Sequence, residues 1–243
     1  MKRGIVYIAF EKEYDQCAAH SAVHARKVTD LPIHVFTNLK TSDPLWEKVP
    51  GVTFQRFPGK DQLWTRRIKL ALDQYSPFDE TLHTDADTAI HSEKFMEAFD
   101  ILQGCDIAFP IHEGKESEWR LETKLYIRAI RTWNPTPPLF VYQGGVFVFK
   151  KNAAVRRFFS DWMEKWQVYS FRDMPPLMAT VHTVKDVIVG ILPSSMGFRN
   201  SEVIQHFFGW RPPKNKILPP FRKWNPDERS MRWKWDRDLR RWR

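Results

Sequence analysis

Asp85 and Asp87 stand one residue apart in HTDADTAI (83–90), just where an apolar run ends. Two carboxylates on one site repel unless something positive lies between them. Either water solvates the pair in an ordinary loop, the commoner fate of an Asp-x-Asp, or a cation bridges them. The position favours a cation. ETLH (80–83) has the make-up of a strand, and oxygen ligands at the end of a strand suit a hard divalent ion. Far downstream, SEVIQHFFGWRPPKNK (201–216) brings His206 to the end of a short apolar run, followed by Arg211, Lys214 and Lys216. His206 is either a core histidine under a turn or a third metal ligand. The cations either face water or clamp a diphosphate.

The elements that must position these groups follow from periodicity. GIVYIAF (4–10), PIHVFTN (32–38), VTFQRF (52–57), ETLHTD (80–85), DIAFP (106–110) and YQGGVFVF (142–149) read as strands. Helices are expected over 14–28, 63–75 and 92–103. The clearest is 152–168, where Val155, Phe158, Phe159, Trp162 and Trp166 recur on one face. Strands alternating with helices predict an α/β domain with a mainly parallel sheet, whose ligands gather at the carboxyl ends of strands. Gln143–Gly145 reaches the same edge if its strand runs antiparallel. Residues 111–138 are polar, then proline-rich, and read as a long excursion or lid.

With 42% hydrophobic residues in 243, the chain can bury a real core. No apolar run is long enough to cross a bilayer. The run after Lys2 and Arg3 is too short for a signal peptide, so a first strand and a cytoplasmic setting are expected. Cys17 and Cys105 match neither a disulfide framework nor a metal-ligand spacing and are expected to be reduced and buried. The net charge of +9 is concentrated: from Arg211 onward 12 Lys and Arg face 4 Asp and Glu. Such a block often marks a surface for polyanions.

Together these stretches resemble the GT-A class of nucleotide-sugar glycosyltransferases, and within it the retaining, metal-dependent group typified by glycogenin and the bacterial lipopolysaccharide galactosyltransferases. VYIAF with Tyr14, TRRIKL, HTDADTAI, YQGGVFVF, DMPPL and IQHFFG carry the likeness, in family order across residues 4–216. The chain departs from the pattern at three places. Gln143-Gly144-Gly145 stands where the family often has Asn-x-Gly. Asp173-Met174-Pro175 stands for Asp-Gln-Pro, and Arg211-Pro212-Pro213 for Lys-Pro-Trp. These changes bear on the donor sugar and acceptor more than on the reaction.

The resemblance implies a GT-A (Rossmann-like) α/β fold over 1–216, with a mixed, mainly parallel sheet flanked by helices, and a basic, Trp-rich extension over 217–243. It implies a sugar moved from a nucleotide diphosphate, a UDP-sugar, to a hydroxyl. Mn²⁺, or Mg²⁺, held by Asp85, Asp87 and His206 would act as a Lewis acid on the departing β-phosphate. Ala9, Phe10, Tyr14, Lys69, Asp85, Ala86, Gly144, Gly145, Arg211 and Lys214 are the implied donor contacts, and Asp173 and Gln143 the catalytic candidates. Plainer readings stand beside these: Lys69 as an exposed helix lysine, Tyr14 as helix-start packing, the glycine pair as a bulge, Asp173 as a helix N-cap. Retention needs no strong base, because the leaving phosphate can take the acceptor's proton; inversion would make Asp173 the first candidate base.

In the tail, Trp224, Trp233, Trp235 and Trp242 alternate with Arg and Lys. Aromatic rings among cations hold unstacked bases, and the same mix suits an anionic membrane. A third reading is a helix whose tryptophans pack on the domain. If the tail binds DNA, a hydroxymethylated base is a chemically competent acceptor, with Trp119, Arg120 and Arg131 of the lid, and Trp233 and Trp235, as candidate contacts. If it binds membrane, the acceptor is a lipid-linked or lipopolysaccharide glycan. A non-catalytic nucleic-acid-binding module is the reading from another class.

Overall fold

The computed structural model describes residues 1–40, 42–58, 62–111, 141–169 and 173–207, and every count below refers to these. In chain order the elements are β1 (Arg3–Ile8), α1 (Lys12–Ala25), β2 (Ile33–Thr37), a 3₁₀ turn (Pro44–Lys48), β3 (Val52–Arg56), α2 (Gln62–Lys69), α3 (Leu72–Tyr75), β4 (Glu80–Thr84) and β5 (Thr88–Ile90). A second 3₁₀ turn (Glu93–Met96) then runs into α4 (Glu97–Ile101), followed by β6 (Ile107–Pro110), β7 (Val146–Lys150), α5 (Ala153–Tyr169), α6 (Met174–Thr183), β8 (Val189–Leu192), β9 (Met196–Phe198) and β10 (Ile204–His206).

Among the described residues seven strands form one sheet in the order β3-β2-β1-β4-β7-β6-β8. All run parallel except β7, which is antiparallel to both β4 and β6. The central strands are buried on both faces, and β1 and β7 accordingly read as near-continuous apolar runs rather than alternating ones. Side chains on β7 divide strictly: Val146 and Val148 enter the core beneath α1 and α4, while Phe147 and Phe149 enter the one beneath α5. Alanines at 18, 19, 22 and 25 are fully buried and let α1 lie close to the sheet. On the other side Phe158, Phe159, Trp162 and Trp166 of α5 are buried, each worth about 1.5–3 kcal/mol of apolar burial. A small sheet, β5-β10-β9, pairs β10 antiparallel to β5 and parallel to β9.

The expected mixed, mainly parallel sheet is present, with differences in detail. The helix expected over 63–75 is two, because an i→i−3 hydrogen bond at Ala71 (3.1 Å) tightens the turn and Ala71 leaves helical geometry at φ −130°. No glycine or proline signals that break. The 92–103 helix begins as a 3₁₀ turn. The strand expected from 142 starts at Val146; Tyr142 makes only an isolated bridge to Ile111, and 143–145 form its mouth. The strands at 88–90, 189–192 and 196–198 were not expected. Cys17 and Cys105 are buried and free. Among the described residues no helix is long and apolar enough to cross a membrane. Residues 112–138 of the expected lid and the whole tail lie outside the described residues, as do Trp119, Arg120, Arg131, Arg211, Lys214, Lys216, Trp224, Trp233, Trp235 and Trp242.

Candidate active site

β4 ends at Thr84 and delivers Asp85 to the sheet's edge. Because β7 runs antiparallel beside it, the strand's N-terminal mouth meets that end, and the Asp85 amide donates to the Gly145 carbonyl at 2.7 Å. Thr88 pins the Asp85–Asp87 turn from below. Its Oγ1 lies 2.9 Å from the Asp85 carbonyl, 3.1 Å from Thr84 Oγ1 and 3.2 Å from Ser21 Oγ, which donates to Tyr7 at 3.0 Å. The register β5 to β10 sets His206 opposite Thr88, and the Asp87 carbonyl accepts from the Phe207 amide at 2.9 Å. His206 Nε2 thereby lies 3.2 Å from Asp87 Oδ1 and 3.9 Å from Asp85 Oδ2.

One donor atom from each of Asp85, Asp87 and His206 lies within 4.8 Å of the other two. Ligands at about 2.0–2.3 Å from one ion sit at about this spacing, and two carboxylates with one imidazole suit a divalent first-row metal. The residues fit the cation that the spacing called for.

Lys69 ends α2 and is not an exposed helix lysine: it is 7% exposed. Its Nζ lies 3.2 Å from Asp85 Oδ1 and 2.9 Å from Asp173 Oδ2. Burial raises both carboxyls, but the Lys69 ammonium outweighs it, holding Asp173 below and Asp85 well below the usual Asp range. Burial in turn weakens the ammonium, and the two carboxylates more than restore it, so the Lys69 pKa is raised. Asp173 occupies the N-cap position of α6 yet makes no side-chain cap; its carboxylate turns to Lys69. The Asp173 carbonyl accepts from Trp162 Nε1 at 2.7 Å, which fixes α6 on α5.

Gln143 is 2% exposed, and both ends of its amide are engaged. Oε1 accepts from the Gly145 and Val146 amides at 3.0 and 3.2 Å, and Nε2 faces His206 Nδ1 at 2.5 Å. The amide nitrogen can only donate, so His206 Nδ1 accepts in this contact. The two glycines differ. A Cβ at Gly145 would strike His206 Cε1 and lie 2.7 Å from Gln143 Nε2 and 2.8 Å from Asp85 Oδ2. That position is glycine to admit the site's own side chains, not first a sugar ring. A Cβ at Gly144 would meet Leu177, Asp173 and Met174 at an ordinary 3.7–3.9 Å.

Ala9, Phe10 and Ala86 are buried at the strand ends. Tyr14 is half-buried against the core beneath α1; burial first, then the Asp87 charge, raises its phenol pKa. Glu11, at the turn between β1 and α1, holds φ 68° and ψ 153°, a conformation costing an L-residue about 1–3 kcal/mol; its amide is held by Asn38 Oδ1 at 2.8 Å. His83 escaped the sequence reading. It is two residues before Asp85, and its Nε2 lies 3.3 Å from Asp85 Oδ1. Strand alternation, which puts residues two apart on one face, was the signal that could have found it.

This sheet order, with a carboxylate pair at the end of β4 answered by an antiparallel β7, is the GT-A glycosyltransferase fold. Solved structures that share it include the bifunctional glycosyltransferase WbbM, at TM-score 0.62 and 15% identity over 85% of this chain and 46% of that one. The galactosyltransferase LgtC, solved with donor and acceptor sugar analogues, is similar at TM-score 0.57 and 16% identity over 85% of this chain and 87% of that one. Mouse xyloside xylosyltransferase 1 follows at TM-score 0.53 and 13% identity over 79% and 86%. The chain spans less than half the length of WbbM. No family model and no curated protein sequence matches it.

Proposed function

We propose that this chain is a metal-dependent glycosyltransferase that moves a sugar from a nucleotide diphosphate, a UDP-sugar, to a hydroxyl acceptor. The observation that carries the reading is the convergence of Asp85, Asp87 and His206 donor atoms within 4.8 Å, at the carboxyl end of β4. Bound there, Mn²⁺ or Mg²⁺ supplies Lewis-acid neutralisation of the charge on the departing diphosphate. The chain's own groups do the rest. Lys69 keeps Asp85 and Asp173 ionised and in place. Asp173 faces the space over Gly144, where a donor sugar would lie, and is the first candidate to hold the sugar or, in an inverting reaction, to accept the acceptor's proton. We favour retention, with the leaving phosphate as that acceptor. Ala9, Phe10, Tyr14 and Ala86 are proposed to border the nucleotide, with Arg211 and Lys214 as further phosphate partners.

For the acceptor we favour a hydroxymethylated base in DNA, on the ground of the basic, tryptophan-bearing stretch from Arg211 onward, with Trp119, Arg120, Trp233 and Trp235 as its contacts. A glycan acceptor is the second reading, favoured by LgtC having been solved with an acceptor sugar analogue. Mass spectrometry of hydroxymethylated DNA incubated with Mn²⁺ and mixed nucleotide sugars tests donor and acceptor together. A hexose or pentose mass added to DNA is expected. Nucleotide-sugar hydrolysis with unmodified DNA would move the assignment to a glycan, and no turnover of any donor would overturn the transferase.

A further inference from the structure

His83 lies on β4 with its side chain 1% exposed and its ring tilted on Phe147 at a centroid distance of 4.8 Å. Its Nε2 is 3.3 Å from Asp85 Oδ1. Ionised Asp85 can only accept, so the His83 nitrogen that faces it, Nε2, is the one that carries the proton of this contact. The carboxylate is therefore used unequally. Oδ1 takes two donors, Lys69 Nζ at 3.2 Å and His83 Nε2 at 3.3 Å, while Oδ2 faces His206 at 3.9 Å.

The two donors differ in how firmly they are placed. An ammonium is repelled by a dication arriving beside it, and Lys69 has Asp173 to turn to at 2.9 Å. The His83 ring is buried on β4 and packed on Phe147, so it stays where it is. We infer that His83 is a positioning residue, an Nε2–H donor that holds Asp85 Oδ1 so that Oδ2 is the oxygen presented to the cation. This rests on the reading of Asp85, Asp87 and His206 as a cation site. Without His83, the carboxylate is free to turn both oxygens toward Lys69 and away from the other two ligands. Outer-shell partners of this kind shift metal affinity by about 10–100-fold.

The test is a Mn²⁺ titration of the metal-free full chain, reading free Mn²⁺ by electron paramagnetic resonance, for wild type, Asp87→Ala, His83→Phe and His83→Gln. His83→Phe keeps the ring and loses the donor; His83→Gln restores an N–H. The expected result is about 10–100-fold weaker binding in His83→Phe and recovery to within about threefold in His83→Gln. His83→Phe binding within about twofold of wild type, while Asp87→Ala abolishes binding, overturns the role of His83 alone. Equal dissociation constants in wild type and Asp87→Ala overturn the cation site itself. If His83→Phe does not fold, ¹⁵N-histidine NMR of the metal-free wild type decides: a proton on His83 Nε2 is expected, and one on Nδ1 overturns the inference.

Discussion

Lys69 and Asp173 form a buried ion pair, Nζ to Oδ2 2.9 Å, and the same ammonium reaches Asp85 Oδ1 at 3.2 Å. Two carboxylates that must both stay ionised are thus held by one internal cation. Replacing Lys69 by Met leaves them facing each other uncompensated. We expect a loss of about 3 kcal/mol in the metal-free protein. Added Mn²⁺ should recover more stability in Lys69→Met than in wild type, because the dication then supplies the missing positive charge. Thermal melts with and without Mn²⁺ read both effects, and equal Mn²⁺ shifts in the two proteins would refute the stand-in role.

Asp87→Ala removes the carboxylate that lies 3.2 Å from His206 Nε2. Mn²⁺-stimulated hydrolysis of a UDP-sugar should fall by about 100-fold or more, while the protein keeps its melting temperature without metal. Retained hydrolysis would place the reaction elsewhere on the molecule.

The two glycines of the β7 mouth should respond oppositely. Gly145→Ala forces the new methyl into His206, Gln143 and Asp85, and should destroy Mn²⁺ binding. Gly144→Ala meets only ordinary contacts at 3.7–3.9 Å and should leave Mn²⁺ affinity within about twofold. Its effect, if any, should fall on KM for the donor. Similar Mn²⁺ affinities in the two variants would contradict the described packing.

Asp73 carries a pH prediction away from the site. Its carboxyl is 4% exposed; burial raises its pKa to about 6, against partial opposition from Arg156 at 4.0 Å. A carboxyl raised on folding is protonated more readily in the native state than in the unfolded one. Its contribution therefore improves as pH falls from about 6 toward the unfolded value near 4, and is lost again above about 6. Asp73→Asn should be more stable than wild type at pH 7.5 by about 1 kcal/mol, with the gap closing at pH 4.5. Urea melts at the two pH values test this; an unchanged gap would mean that the carboxyl titrates normally.

Much of this architecture could be read in the residues themselves. Long apolar runs and the five-residue face of α5 are strong periodic signals, so six of the seven strands of the main sheet and that helix were found, while β8 at its edge was not. So were Asp85, Asp87 and His206, because ligand types at the ends of apolar runs are visible without coordinates. The short strands of the small sheet were missed because three residues carry no usable period. The division of α2 from α3 was missed because no breaker residue marks it; the tightened turn at Ala71 lies between two buried leucines, Leu70 and Leu72. The role of Lys69 depends on which neighbours the fold brings to Asp85, a fact that no local spacing encodes, whereas His83, two residues before Asp85, was open to strand alternation.

His206 reaches the site on β10, the last described strand, docked antiparallel to β5 more than a hundred residues upstream. On a ribosome, the paired acids emerge long before the imidazole that completes their company. The full ligand set of the proposed cation site therefore exists only once β10 has docked on β5, and a metal bound there would reinforce only molecules in which that pairing has formed.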